Sequence, residues 1–572
     1  MKKLLWAVVV IFVAFWAVWI GVFYYKNLRG IGPAVRAPKE DIAELIDNPP
    51  TPSLTLREGE NRTGMPLKLP PGFSIEIFAK DLPGARVMVP DSFGGFLVSQ
   101  TSEGNVSEIM GDQESGRAVD FGTYLSGLRK PHGMVVDPKD QEHFFIAEED
   151  KISEFYVATM EGPGFSKIVD LPSGGNHTTR TLGFGPDGRL YVSIGSSCNV
   201  CNENDPRRAA IYVVDIENKK LIPYATGLRN SVFFTWSYVD GRMWATEMGR
   251  DLLGDDLPPD EINIVEGPSA DSGQNPPDFG WPICYGKNIH DSVFDKNVYV
   301  RDPCADKVPS YIDLPAHSAP LGLAFIPKDA GWPKEYEGDL LVAYHGSWNR
   351  TKPTGYKVVR IKLDAQGNYE GMEDFISGWL QDDGTALGRP VDILVQSGGV
   401  MYISDDKAGV IYRVTYSPLT HNISQSMRIE SPAFGQNERI PKKYTCDGED
   451  VNPPLTIADV PEGTKSLALI HDDPDATDGT WVHWTVWNIT PDTRALEEGK
   501  VPQGAMEGTQ SWGRTGYGGP CPPSGAHRYF FKLYALDATL DLPASTDAQG
   551  LTSAMEGHIL AQAELIGLYE RQ

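Results

Sequence analysis

Leu182–Gly195 reads LGFGPDGRLYVSIG: a short apolar run, a polar turn at Pro186-Asp187-Gly188, then a second run rich in β-branched and aromatic residues. Two such runs around an Asp-Gly turn are a hairpin signal. The pattern returns in Ser237–Met248, SYVDGRMWATEM, and in Ile393–Asp406, ILVQSGGVMYISDD. Weaker versions begin near Val87, Met134 and Leu323, giving six units over residues 66–417, about 58 residues apart. No amphipathic helix of ordinary length interrupts them. Radial repetition of four-stranded sheets fits that period, so the expectation here is a six-bladed β-propeller. A pair of β-sandwiches is the alternative, disfavoured by the shared strand–turn–strand unit.

Composition agrees with a large, turn-rich protein. Of 572 residues, 59 are Gly and 44 are Pro, about 18% together against an average near 12%. Hydrophobic residues at 41% and charged residues at 22% are those of a globular chain, not a disordered one. Lys and Arg number 51 against 77 Asp and Glu, a formal charge of −26. Non-specific nucleic-acid binding needs a basic footprint and is excluded as a function class.

Leu4–Tyr25 carries no charge, and 22 residues of helix rise about 33 Å, enough to cross a hydrocarbon core of about 30 Å. Lys2 and Lys3 precede it, and no Ala-x-Ala site closes it. Residues 1–25 therefore read as an uncleaved single-pass anchor in the cell inner membrane, with the bulk of the chain periplasmic or extracellular. A cleaved signal peptide is the other reading. Residues 26–65 are rich in Pro and charge and read as a stalk, with one short helix around Lys39–Ile46 and no packing on the domain it carries.

An ordered set of short motifs then points to a family: Asn176-His177-Thr178-Thr179-Arg180, Gly227-Leu228-Arg229-Asn230, Glu247-Met248-Gly249, Asp260-Glu261-Ile262-Asn263 and Phe279-Gly280-Trp281-Pro282. With His345–Arg350 (HGSWNR) and Gly388–Asp392 (GRPVD), this stretch resembles the soluble, pyrroloquinoline quinone-dependent glucose and L-sorbosone dehydrogenases. The resemblance implies oxidation of a sugar or sugar aldehyde, with electrons leaving to a quinone or a cytochrome. It implies His177 as the catalytic base, and an imidazole is suited to that role because it titrates near neutrality. It places Asn176 where the family often has Asp. It implies that Arg229, Asn230 and Arg389 hold the tricarboxylate cofactor, whose cradle needs cations and amides. The second arginine of the last blade falls on Val391, and Lys130, His132, His345 and Arg350 are candidates to take over its contacts. It also implies a calcium ion against the backbone of Gly249 and Arg250. A propeller without cofactor that binds a glycan or a protein is the competing function.

Separately, RDLLGDDLPPDE (Arg250–Glu261) holds five carboxylates in twelve residues, a pattern that suits a hard cation or a solvated acidic loop. Six cysteines in an extracytoplasmic chain are expected to pair. Cys198-Asn199-Val200-Cys201 lacks the histidine of a haem attachment site and a second pair for zinc, leaving a loop disulfide or a redox-active pair. Cys284–Cys304 is a second expected clip.

A further domain is expected over residues 427–572, after the polar linker SPLTHNISQS. Tyr444–Leu455 (YTCDGEDVNPPL), His471–Ile489 (HDDPDATDGTWVHWTVWNI) and Gly516–Asp537 (GYGGPCPPSGAHRYFFKLYALD) resemble the bacterial branch of the phosphatidylethanolamine-binding, Raf kinase inhibitor-like family. The resemblance implies a β-sandwich with short helices and a pocket for a small phosphate-like anion at Asp473, His483, Tyr517, Gly519, His527 and Tyr529. Two imidazoles and the amides of a Gly/Pro turn are chemically able to hold such an anion.

Overall fold

The computed structural model describes residues 2–28, 30–47, 60–90, 95–111, 118–156, 165–268, 274–396, 398–416, 427–461, 463–476, 480–555 and 558–571. The chain divides into two compact units, Met1–Ser417 and Pro418–Gln572. The expected linker over residues 417–426 lies outside the described residues.

The first unit opens with helix α1 (Lys2–Asn27), whose Val9–Asn27 stretch is long and apolar enough to cross a membrane and leaves most of its large apolar side chains up to Tyr25 exposed. Two short helices follow, α2 (Gly32–Val35) and α3 (Ile42–Asp47). The expected stalk does not stand free, which corrects the reading from composition. Gly32 and Pro33 are buried, and Ile42, Leu45 and Ile46 of α3 pack against a buried core cluster. Lys39 pairs with Asp383 and Lys407 Nζ donates to the Pro33 carbonyl. Apolar positions at 42, 45 and 46 give even a one-turn helix a face to bury, and that outweighs the polarity of its flanks.

Six sheets follow, five of them antiparallel and four-stranded; the sixth has four antiparallel strands and gains a fifth, the short parallel strand Glu60–Asn61. Their first strands are Ala85–Pro90, Met134–Asp137, Leu182–Phe184, Phe234–Trp236, Pro320–Phe325 and Pro390–Val395. Val87, Met134, Phe233, Leu321 and Val391 from or beside these strands share one buried cluster, the arrangement of blades about an axis. The second strands Leu190–Ile194 and Leu340–Tyr344 are buried at every position, which explains why they read as continuous apolar runs. The last sheet is closed by the start of the propeller: Phe73–Ala79 pairs with Val410–Tyr416 in register Phe73↔Tyr416 through Ala79↔Ile411.

In the second unit a six-stranded sheet is built on Ala526–Leu536, paired along its whole length with Ile559–Glu570 and on its other edge with Ser466–Asp473. A three-stranded sheet of Arg428–Glu430, Leu455–Ala458 and Ala495–Leu496 shares one core with it, including Ile457, Leu467, Trp484 and Phe531. Helix α4 (Ala548–Met555) covers a further cluster around Trp487 and Leu536. The cysteines pair as Cys198–Cys201, Cys284–Cys304 and Cys446–Cys521.

Phe73 sits at the closing strand, 1% exposed, with its ring against Trp332, Tyr336, Phe375 and Tyr416. Phe73→Ala is expected to destabilise the first unit by about 3–5 kcal/mol. Denaturant unfolding should show its transition moved and that of the second unit unmoved.

Candidate functional site

In an up-and-down four-stranded sheet, the loop joining the second and third strands and the loop leading to the next sheet emerge at the same end. Lys130, His177, Arg229 and Arg389 lie on loops of the second kind. Ser196–Asn199, Gly249–Arg250, His345 and Asp406 lie on loops of the first kind. Eight loops thus emerge at one end of the propeller.

A cavity of about 560 Å³ at that end is lined by Arg86, Lys130, Arg389 and Lys407, the hydroxyls of Thr101, Ser102, Thr178 and Thr179, and one carboxylate, Asp406. That carboxylate is already held: Arg86 Nη1 donates to its Oδ2 at 2.6 Å and His345 Nε2 to its Oδ1 at 2.8 Å. Both partners keep Asp406 well below the usual carboxylate range despite burial. His345 is pushed down to about 4 by burial and by Arg389, so it is a neutral imidazole donating its Nε2–H. The cations left to face the cavity outnumber the anion. Arg389 is partly buried, with Nε on the His345 carbonyl at 3.0 Å and Nη2 on the Gly346 carbonyl at 2.9 Å. Its Nη1 makes no hydrogen bond within the described residues. The Arg86 Nε is likewise buried and unpartnered. Lys130 also pairs with Glu149 at 3.4 Å and Lys407 donates to the Pro33 carbonyl, so the donors left over are those of Arg86 and Arg389. A cavity with four cations and one carboxylate fits a polycarboxylate guest.

His177 is next to this wall, one residue before Thr178. Its Nδ1 lies 3.0 Å from the Ser196 carbonyl and 2.8 Å from Ser196 Oγ. A carbonyl accepts only, so Nδ1 carries the proton and Nε2 keeps a lone pair. Burial, then Arg229, push His177 down to about 3. Asn176 is exposed beside it, its amide on the Ser197 carbonyl.

Arg229 does not line the cavity. Its Nε and Nη2 donate to the Asn199 carbonyl and Oδ1, Nη1 to the Met248 carbonyl, and Nη2 also faces Asp251 at 3.2 Å. Asn199 Oδ1 takes the Asp251 amide as well. The Cys198–Cys201 disulfide closes this small loop, and the Cys198 carbonyl accepts from Ser196 Oγ. One clipped loop therefore orients both His177 and Arg229. Asn230 is buried behind it, its amide on Glu247. Val391, at the family's second arginine position, is fully buried in the axial cluster, where a guanidinium would have no partner. Of the candidates to replace it, Lys130 lines the cavity. His132 is buried against Phe233 with Nε2 unpartnered, and Arg350 turns away to the Ala316 carbonyl and Asp256. Arg86, Asp406, Lys407 and Asn199 were not singled out from sequence. Asp406 ends a recognised hairpin motif and Lys407 directly follows it, whereas Arg86 has no local signal.

The acidic loop is not a cation cage. Asp251 is held by Arg229 and Asn349, Asp255 by the Thr351 amide, Asp256 by Arg350, Asp260 by the Gly249 and Ala319 amides, and Glu261 by Asn263 and the Gly286 amide. Arg250 puts a buried guanidinium into this segment, paired with Asp291 at 2.8 Å. Among the described residues, side-chain metal ligands converge only at Cys198, Cys201 and Glu203, and those sulfurs are bonded to each other. The side chains of this segment are thus committed to internal partners, whereas the expected calcium contact is with the Gly249 and Arg250 backbone.

In the second unit, His527 Nδ1 meets Asp473 Oδ2 at 2.8 Å, and the buried Tyr529 hydroxyl is pushed well above its ordinary value by burial and by Asp473. The His483 ring lies 5.3 Å from Tyr529, its Nδ1–H donating to the Gly518 carbonyl at 2.8 Å. These four residues come together. Tyr517 and Gly519 are committed elsewhere: the Tyr517 hydroxyl donates to the Tyr444 carbonyl, and the Gly519 amide to Asp450 Oδ1 at 2.6 Å. His471 stacks between Phe531 and Tyr517. Burial pushes His483 below its ordinary value.

The depressed His177 has a sign that can be checked. Its folded value of about 3 lies below the unfolded 6.5, so stability is fully present above pH 6.5 and is lost as pH falls towards 3. His177→Gln should lose less stability than the parent between pH 7 and pH 4.5, by about 2 kcal/mol at most, in urea titrations at the two pH values.

Comparison with known proteins accords with this geometry. The TrAA12-like family model matches residues 67–417 and that of the phosphatidylethanolamine-binding protein matches residues 430–570. A UPF0098 protein of Methanothermobacter thermautotrophicus is 52% identical over 150 residues, 25% of this chain and 99% of its own. The calcium structure of Trichoderma reesei Carbohydrate-Active Enzymes Family AA12 aligns with a TM-score of 0.53 at 19% identity, over 61% of this chain and 97% of that one. The holo form of the pyranose dehydrogenase PQQ domain from Coprinopsis cinerea aligns with 0.51 at 21%, over 61% and 97%. The chain thus belongs to the TrAA12-like family over its propeller and carries a phosphatidylethanolamine-binding protein domain after it.

Proposed function

We propose that the propeller is a quinone-dependent oxidoreductase that oxidises a sugar or sugar aldehyde at its loop end, on a chain held to a membrane by α1. The observation that carries this reading is the cationic cavity beside a neutral histidine. Pyrroloquinoline quinone, when bound, supplies the acceptor for the two electrons and hydrogen leaving the substrate carbon. Arg389, Arg86, Lys130 and Lys407 are the groups that would hold its carboxylates. Arg229 acts at one remove, fixing the loop that orients His177.

His177 takes the substrate hydroxyl proton at Nε2, because Nδ1–H is tied to Ser196. An imidazole with a pKa of about 3 is a weak base, and the cause is burial together with Arg229, Arg180 and Arg208. An anionic guest raises that value by offsetting the guanidinium charges, so the base strengthens when the cavity is filled. The sugar class and the electron acceptor, a quinone or a cytochrome, belong to this proposal, as does placement of both units outside the cytoplasm. Three disulfides in the described residues support an oxidising compartment.

The second unit is proposed to bind a small phosphate-like anion between His483, His527 and Tyr529. Asp473 supplies negative charge there, so anion binding must be coupled to proton uptake by an imidazole. Isothermal titration with orthophosphate should show affinity rising as pH is lowered from 8 to 6; affinity that rises towards pH 8 contradicts the assignment.

The test of the propeller is reconstitution of the detergent-solubilised full chain with quinone, followed by a screen of aldoses and ketoaldoses with an artificial acceptor. His177→Ala should cut turnover by roughly 10²–10⁴-fold with quinone binding nearly unchanged. Arg389→Ala should weaken quinone binding about ten- to hundred-fold, the equivalent of one charge-assisted contact of about 1.5–3 kcal/mol. Absence of quinone binding by the parent at micromolar concentration would replace the enzyme by a cofactor-free binding propeller.

A further inference from the structure

The segment after α1 is fastened to the loop end of the propeller. Gly30 lies so close to the Arg350 carbonyl that no Cβ fits, and Gly32 lies against the Gly384 carbonyl. Asn27, the last residue of α1, is itself buried. Gly30 is three steps along the chain from Asn27, a reach of about 10 Å at most. The end of the apolar helix is therefore held close to the loops that form the cavity, whose wall includes Ala34.

The same end of the molecule presents apolar side chains to solvent. Arg350 Nη2 pairs with Asp256, and the next residue, Leu257, is exposed, as is Trp348. The long excursion between the third and fourth strands of the fourth sheet leaves at the other end but returns to this one. There Arg250 pairs with Asp291 and the Gly286 amide donates to Glu261, and the Cys284–Cys304 disulfide closes the excursion. That excursion carries Val298 and Val300, 98% and 110% exposed, with Val293, Tyr299 and Ile289 exposed around them. Its tip is built: Asp295 accepts from the Tyr299 hydroxyl at 2.7 Å and pairs with His290 at 3.0 Å. Lys296 and Arg301 flank the Val-Tyr-Val run. A tip of fully exposed β-branched residues with an adjacent tyrosine and flanking cations has no benefit in water and matches the chemistry of a membrane interface.

We propose that the excursion Ile289–Arg301 is an interfacial loop that rests in the headgroup region of the bilayer crossed by α1, so that the loop end of the propeller faces the membrane surface. This rests on α1 being an anchor. The occupant is lipid and not a protein partner, because the patch is joined through Arg250, Asp256, Arg350 and Gly30 to the end of the apolar helix.

The test uses the full chain in lipid nanodiscs. The native cysteines are all in disulfides, so Val298→Cys offers one thiol for bimane labelling. Tyr238→Cys is the control: it is 69% exposed on the turn joining the first and second strands of its sheet, at the opposite end. Lipids carrying a shallow doxyl quencher should quench position 298 at least three-fold more than position 238. Hydrogen exchange of the unmodified chain should show residues 289–301 protected in nanodiscs and exposed in detergent. Equal quenching at the two positions, or unchanged exchange, in a preparation that floats with lipid vesicles overturns the docking while leaving the anchor. Failure to float overturns the anchor and the docking together.

Discussion

Closure of the ring governs the rest of the propeller. Phe73–Ala79 must leave the start of the unit and complete the sheet formed by its end, and that pairing brings residues more than 300 positions apart into one blade. Arg86 reaches Asp406, the Met88 amide reaches Asp392, and Arg413 reaches Glu76 only because the ring is shut. Asp405 then carries the closure to the cavity. Its buried carboxylate accepts the Arg389, Lys407 and Ala408 amides and the Tyr412 hydroxyl. Burial raises it to about 6, so the group that shapes the cationic wall is itself near its titration point. Two cavity cations and the neighbouring Asp406 thus depend on one hidden carboxylate.

Much of this was legible in the chain. Hairpin units mark the blades because turn residues and β-branched runs are local signals, and LGFGPDGRLYVSIG forms its hairpin as read, Leu182 opposite Val192. The six sheets and the mainly β second unit follow from the same signals. What was not legible depends on distance in sequence. Arg86 is an unremarkable residue until ring closure sets it against Asp406. Val391 departs from the resembled pattern because its position faces the axial core. Arg229 matches the pattern, yet its guanidinium is spent on Asn199 and Asp251. The stalk was misjudged because composition reports average polarity, whereas three apolar residues of α3 were enough to dock it.

The two units use histidine differently. Around the cavity, His177 and His345 stay neutral amid guanidinium groups, and their free or donating nitrogens are set by carbonyl and carboxylate partners. In the second unit His527 leans on Asp473, and its neighbourhood has acquired a carboxylate at Asp450 that occupies the Gly519 amide.

Ala34 and the Pro33 carbonyl have a practical meaning for anyone who expresses this protein. A secreted version trimmed at the first strand of the propeller looks like a tidy domain boundary, but it deletes part of the cavity wall and frees the Lys407 ammonium from Pro33. Such a fragment would offer a wider opening and a different charge balance than the native chain. Affinities measured on it would describe an altered vessel.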